Sequence, residues 1–166
     1  MKKYVLISIV FCLMLSGCVG KSTSQLSEDN SPQTSVNNST GIEDHSKINL
    51  QVGDTSLTVE AVTSLESITK GLGERQEIGS DGMLFFLPDR RIATFWMKGM
   101  SFDLDMVWID GNKVVGVTAN VPVHTVNLNF PTYASPSEVT QVLELPAGDA
   151  QKRGIKAGDQ VLVTSN

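Results

Sequence analysis

The sequence has 166 residues, with 13 basic and 18 acidic side chains and a formal charge of −5, and its length is typical of a single domain. A hydrophobic content of 40% excludes a wholly disordered chain, and the negative charge argues against nucleic acid, which proteins bind through basic surfaces. Six of the ten aromatic residues lie between Phe85 and Trp108. This uneven distribution predicts an N-terminal targeting segment, a linker and one folded unit.

Residues 1–17 are typical of a lipoprotein signal peptide. Lys2 and Lys3 precede an apolar segment, residues 4–15, that is too short for a transmembrane helix. The following Leu15-Ser16-Gly17-Cys18 resembles the lipobox of prokaryotic lipoproteins, which implies lipid on the Cys18 thiol and cleavage just before it. We therefore expect an exported protein that is anchored to the extracytoplasmic face of a membrane through Cys18.

Residues 18–47 are predicted to form a flexible linker that carries the lipidated Cys18. Ser, Thr, Asn and Gln dominate this stretch, and it has too few apolar side chains to offset the entropy of ordering. His45 is expected to be a solvated linker residue rather than a ligand. Residues 48–166 then form the globular domain.

Short strands separated by turn residues fill the first half of this domain. Alternation of apolar and polar residues predicts strands at 48–52 and 57–61. Thr63 with Glu66 predicts a capping box for a short helix that ends at Gly71 or Gly73. Three more strands follow, at 83–87 before the turn residues Pro88-Asp89, at 92–97 and at 102–109.

The second half continues the same pattern. Asp110-Gly111 predicts a hairpin turn, and residues 122–136 are expected to be a long loop. Strands at 113–121, 140–145 and 160–163 and a helical turn at 149–153 complete the prediction. Many short strands with regular turns predict a mainly β fold, α+β at the margin, in the form of a small β-barrel or sandwich with one or two short helices.

One group of side chains has the composition of a binding surface. Alternation places Trp96 and Lys98 on one face of their strand, and Asp103 and Asp105 on one face of the next. A turn at residues 99–101 would bring the four together. A Trp beside carboxylates and a Lys suits a sugar or a flat polar ligand, because stacking and directional hydrogen bonds act together.

Two other interpretations fit the same residues. Lys98 paired with Asp103 or Asp105 would only brace a turn, and the chain would be a structural surface protein. Asp103 and Asp105 would alternatively serve as the acid and base of a hydrolase or lyase acting on envelope polymers, which their spacing neither selects nor excludes. His124 is the only histidine of the predicted domain, so the sequence indicates no metal site, and it shows no cofactor motif.

Several short motifs occur in an order that resembles domain-of-unknown-function family 192 (DUF192), over residues 57–163. The resemblance implies a compact β-rich fold without an established activity. The sequence departs from the family at Gly99, where Asn is usual, and in the loop at 122–131, which lacks a Cys before Tyr133. The motifs are Gly71-Leu72-Gly73-Glu74-Arg75, Gly82-Met83-Leu84-Phe85, Phe95-Trp96-Met97-Lys98, Leu104-Asp105, Ile109-Asp110, Tyr133-Ala134-Ser135, Leu143-Glu144 and Gly158-Asp159.

These observations favour a non-catalytic envelope module over an enzyme. Its expected partner is a small polar ligand, a glycan or an envelope protein, besides the membrane reached through Cys18. We expect no catalytic residue, no metal and no cofactor. The candidate ligand-binding residues are Arg75, Trp96, Lys98, Asp103, Asp105 and Tyr133, and all except Asp103 match polar positions of the family.

Overall fold

The computed structural model describes residues 41–124 and 130–164, which belong to one compact unit. The predicted signal peptide at residues 1–17, the predicted lipidation site Cys18 and most of the predicted linker lie outside the described residues. Neither helix of the described part is long and apolar enough to cross a membrane.

The described residues contain nine strands and two short helices. This content confirms the mainly β fold. In chain order the elements are β1 (Lys47–Val52), β2 (Thr55–Val62), α1 (Leu65–Lys70), β3 (Gly82–Arg91), β4 (Thr94–Trp96), β5 (Leu104–Asp110), β6 (Lys113–Val121), β7 (Thr132–Ala134), β8 (Val139–Pro146), α2 (Asp149–Lys152) and β9 (Val161–Thr164).

Seven of these strands form one curled sheet in the order β6-β5-β8-β3-β2-β1-β9, and β4 and β7 form a separate ribbon. Strands β2 and β3 run parallel, and the other neighbours run antiparallel. The N–H of Val114 bonds to the C=O of Asp159 at 2.9 Å, and the N–H of Val161 bonds to the C=O of Asn112 at 2.8 Å. These bonds join the two ends of the sheet, so it curls into a barrel-like form.

Both faces of the sheet are apolar, because alternate residues of each strand point to opposite sides. The inner face lies inside the curl and packs against α2. The outer face is covered by α1 and by the β4–β7 ribbon, whose Phe95 meets Phe85 and Trp108 edge to face at 5.2 and 6.0 Å between ring centroids. Representative inner residues are Leu50, Val59, Leu84, Val107 and Leu143, and representative outer residues are Met83, Phe85, Met106, Trp108 and Val142.

The structure corrects three local predictions. Strand β3 continues through Pro88 to Arg91, with an irregularity in its pairing after Phe86, where the sequence predicted a turn. Strand β7 lies within the stretch that was predicted to be loop throughout. Helix α1 is capped by Ser64, whose side chain accepts from the N–H of Ser67, so the predicted capping box was placed one residue too early.

The segment before β1 packs on the start of α1. One Asp44 carboxylate oxygen accepts from the N–H of Thr63 at 2.7 Å and of Ser64 at 3.2 Å, and the other accepts from the hydroxyl of Ser67 at 2.6 Å. Burial raises the pKa of Asp44, but the hydrogen bonds from Ser67, Thr63 and Ser64 together outweigh it and hold the pKa well below its usual range. The ordered contacts therefore begin a few residues before Ile48.

Candidate functional site

A cleft opens on the outer face between α1 and strand β4. Helix α1 and the following Gly71–Gly73 segment form one wall, β4 forms the other, and residues of β3 and β8 form the floor. The cleft has a volume of about 220 Å³. That is less than the 300–1,000 Å³ typical of sites for drug-sized ligands, so the space suits one ring or one amino-acid side chain.

The glycine at the end of α1 allows the two walls to approach the floor. Gly71 has φ of 51° and ends the helix, and a Cβ there would lie 3.3 Å from the ring of Phe85. The next turn is held by the N–H of Glu74, which donates to the C=O of Gly99 at 2.8 Å. This bond fixes the loop that carries Lys98 beside the end of α1.

Trp96 and Lys98 form the rim of the cleft, as the strand alternation predicted. Phe95 and Met97 point into the outer core, whereas Trp96 is 49% exposed. The Lys98 ammonium lies 5.3 Å from the centroid of the Trp96 ring, which is a cation–π distance. Lys70, at the end of α1, is a second cation on the same rim.

Glu144 lies on the floor of the cleft and is the residue that reasoning from the strand pattern missed. It belongs to β8, is 5% exposed, and its carboxyl has no hydrogen-bond partner among the described residues. Burial raises its pKa to about 8. At neutral pH the carboxyl is therefore mostly protonated, and it offers both a donor and an acceptor to a ligand.

Arg75 is close to the end of α1 but serves an ion pair. Its guanidinium forms two hydrogen bonds, at 2.7 and 2.8 Å, to the carboxylate of Glu60. His45 bonds to the same carboxylate at 2.6 Å. The hydrogen bonds from Arg75 lower the pKa of Glu60 despite its burial, and the bond from His45 acts in the same direction. Arg75 does not line the cleft.

Asp103, Asp105 and Tyr133 also lie apart from Trp96 and Lys98. Asp103 is exposed, accepts from the N–H of Val123 at 2.7 Å, and borders a separate shallow depression. Tyr133 pairs with Phe95 through the β4–β7 ribbon and packs against the outer core. The six sequence candidates therefore do not form one surface.

Asp105 points to the inner face and is completely buried. One carboxylate oxygen accepts from the N–H of Asn120 at 2.8 Å, and the other accepts from the N–H of Ala150 at 2.9 Å. The carboxylate thus ties the start of α2 to the sheet. Since Asp105 lies across the sheet from Trp96, the expected contact of the two Asp residues with Trp96 and Lys98 does not occur.

Comparisons with known proteins agree with this architecture. The profile of the family DUF192, described as "Uncharacterized ACR", matches residues 48–163. A similar solved structure is a candidate transcription regulator from Sinorhizobium meliloti 1021, with 27% identity, a TM-score of 0.65, and coverage of 74% of this chain and 98% of that chain.

A second similar structure is a protein of unknown function from Novosphingobium aromaticivorans. It has 28% identity and a TM-score of 0.61, and the alignment covers 70% of this chain and 84% of that chain. No curated protein matches the chain.

Proposed function

The chain belongs to the DUF192 family, and from this premise we propose that it is a non-catalytic binding domain for a small polar ligand, held on the outer side of a membrane by lipid on Cys18. The observation that carries the proposal is the cleft with a half-exposed Trp96 on its rim and, on its floor, a Glu144 carboxyl that no described residue hydrogen-bonds. A ring of the ligand would stack on Trp96, and a hydrogen-bonding group would reach Glu144.

The cleft favours binding over catalysis. Glu144 is the one carboxyl among its lining residues, whereas glycoside hydrolysis by an acid and a base needs a pair. Asp103 and Asp105 lie outside the cleft, and Asp105 is occupied by two backbone N–H groups. The hydrolase or lyase alternative therefore has no specific support.

A purely structural role fits the cleft less well. A structural protein would bury Trp96 and pair Lys98 with a carboxylate. Instead Trp96 is 49% exposed, and the contact that the structure gives Lys98 is with the Trp96 ring. The Glu144 carboxyl also lines the cleft with a pKa raised by burial, and a perturbed acid in a cleft is typical of a functional site.

The S. meliloti relative is described as a candidate transcription regulator, but the charge of this chain argues against DNA binding. Its formal charge of −5 gives no electrostatic attraction to the phosphate backbone of DNA. An acidic body would also not attract an anionic membrane, so the lipid on Cys18 supplies the proposed anchor.

Tryptophan fluorescence of the chain from Val19 to Asn166 tests the binding proposal. Titration with N-acetylglucosamine, glucuronic acid and single amino acids should give a saturable change that Trp96→Phe removes and Glu144→Gln weakens. Buried Trp108 remains as an internal reference in the Trp96→Phe variant. A response that persists in Trp96→Phe would place the site elsewhere.

Membrane fractionation tests the anchor. The Cys18→Ser variant should move from the membrane pellet to the soluble exported fraction, because it lacks the thiol that receives the lipid. Cys12→Ser is the matched control, since Cys12 lies within the signal peptide and is removed. Retention in the pellet of a Cys18→Ser protein from which residues 1–17 have been removed, as its mass would show, would contradict lipid anchoring at this residue.

A further inference from the structure

Strand β4 has one unpaired edge. The C=O of Ala93 accepts from the N–H of Ser135 at 2.9 Å, and Phe95 is opposite Tyr133 in the ribbon. In an antiparallel pair the bonding residues alternate, so residues 93 and 95 bond to β7 and residues 94 and 96 point their N–H and C=O groups the other way. Outside the β4–β7 pairing, no described residue hydrogen-bonds to the main chain of Thr94 or Trp96.

This unpaired edge faces the cleft. The residues of β4 line the cleft together with α1, whereas no residue of β7 lines it. Thus α1, the cleft, β4 and β7 lie side by side on the outer face, with the free edge of β4 directed at α1. An exposed strand edge of this kind is a template for another strand.

The cleft continues along β4 into a second hollow of about 430 Å³. The two share Ile68 and Thr69 of α1 and Thr94 and Phe95 of the ribbon. Leu65 is 67% exposed and Ile92 is 52% exposed, and both border this second hollow. A groove therefore runs beside the whole length of β4, with an apolar end and a polar end.

We propose that this groove binds an extended peptide segment of a partner protein, which adds to the free edge of β4 as a third strand of the ribbon. The inference rests on the proposed binding function and names its ligand class. A strand edge presents donors and acceptors with the two-residue repeat of a polypeptide, and only a peptide backbone matches that repeat. A glycan would stack on Trp96 without using the edge.

The walls and floor predict the side chains of the peptide. The residue opposite Phe95 would point to the floor, as Phe95 does, and it would meet Glu144. A side-chain amide complements this protonated carboxyl, because it accepts from the O–H and donates to the C=O of the acid. An ionised acidic side chain would lose its hydration on the floor without a charged partner. The residue opposite Ala93 would point into the hollow beside Leu65 and Ile92, which favours an apolar side chain.

The test uses capped pentapeptides of the form acetyl-Leu-Thr-X-Thr-Leu-amide, in which X is each of the 20 amino acids. The sequence is symmetric in side chains, so it fits whether the added strand is parallel or antiparallel to β4. We expect saturable binding for X = Gln or Asn and weaker binding for X = Asp or Glu. Bound peptide should slow the hydrogen exchange of the Thr94 and Trp96 amides.

Two substitutions of Thr94 separate edge pairing from side-chain contact. Thr94→Pro removes the edge N–H but no bond to β7, and should weaken peptide binding by about fivefold or more, the value of one hydrogen bond. Thr94→Ala removes the side chain and keeps the N–H, so its affinity should stay within about twofold of the original. If Thr94→Pro does not fold, hydrogen exchange of the Thr94 and Trp96 amides in the unsubstituted chain still shows whether the peptide pairs with the edge of β4.

The outcomes distinguish this inference from the function on which it rests. Peptide binding without protection of the Thr94 and Trp96 amides would overturn strand addition. Binding of N-acetylglucosamine or a free amino acid at Trp96, with no peptide of the series bound at millimolar concentration, would overturn the peptide inference and leave the binding function intact. Absence of a response to any of these probes would overturn both.

Discussion

The inner and outer faces of the sheet each bury one carboxyl group, and the two groups have opposite surroundings. Asp105 pairs with Leu145, and Met106 pairs with Glu144, so the two acids lie one register position apart on adjacent strands and point to opposite faces. Asp105 accepts two backbone N–H groups. Glu144 has no such partner among the described residues and opens to the cleft.

This difference separates a structural acid from a candidate functional one. Burial alone does not distinguish them, because the residues are 0% and 5% exposed. Two backbone N–H groups compensate Asp105 for its burial. Glu144 lacks that compensation, so its carboxyl is kept neutral and available to a ligand.

The largest expected effect on stability comes from removing the carboxyl of Asp105 on the inner face. Asp105→Ala would remove the acceptor from the N–H of Asn120 and from the buried N–H of Ala150, and a hydrogen bond to a charged group contributes about 1.5–3 kcal/mol. We expect a loss of about 4 kcal/mol in the free energy of unfolding, measured by urea denaturation. Glu144→Gln is the matched control and should not destabilise at pH 7. Equal effects of the two substitutions would remove the distinction between the faces.

Glu144, the carboxyl of the outer face, should make the free energy of unfolding depend on pH. The pKa of Glu144 is raised to about 8 in the folded chain, against 4.5 for the free side chain. The unfolded chain therefore loses this proton first, and stability should fall as pH rises from about 5 to 8. The limiting slope for one group is about 1.4 kcal/mol per pH unit.

Glu144→Gln should abolish this contribution. We expect the variant to match the original chain at pH 5 and to exceed it by about 2 kcal/mol at pH 8, less than the limiting value because the carboxyl opens to the cleft. Urea denaturation at several pH values measures the difference. A constant difference across this pH range would mean that Glu144 ionises normally in the fold.

Sequence patterns predicted the fold better than the site. Strand alternation works where one set of side chains faces the core, and it correctly placed Phe95 and Met97 inside and Trp96 outside. It failed at Pro88, because this proline lies in the irregular stretch of the β3–β8 pairing between Phe86 and Arg91, where the strand tolerates a residue without an N–H. It also failed at β7, since a three-residue strand has too few positions to show a period.

The site required tertiary information. Alternation put Asp103 and Asp105 on one side of a strand, but β5 begins at Leu104, and the pattern could not tell that α2 and Asn120 cover Asp105. Glu144 had a detectable signal, since an acid stands between Leu143 and Leu145 in a strand that is otherwise mostly apolar. A buried-strand acid at this position is either paired or functional, and the sequence alone does not show whether a partner reaches it.

The smallest expected effect concerns Arg75. Its ion pair with Glu60 is less buried than the contacts of Asp105, but Arg75, unlike the carboxyl of Glu144, has a partner among the described residues. This bidentate ion pair is only partly buried, since the Arg75 side chain is 31% exposed and the Glu60 side chain is 14% exposed. We therefore expect Arg75→Ala to lower the free energy of unfolding by about 1 kcal/mol at pH 7, well below the effect of Asp105→Ala.

The pH dependence of this pair has the opposite sign to that of Glu144. Arg75 lowers the pKa of Glu60, so the stabilisation is present above 4.5 and is lost as the pH falls through the lowered folded value. The deficit of Arg75→Ala should shrink in acid, as urea denaturation at pH 7 and pH 3 would show. Because Arg75 does not line the cleft, ligand titrations of Trp96 fluorescence should be unchanged in this variant. An altered affinity would instead make Arg75 part of the site, as the sequence suggested.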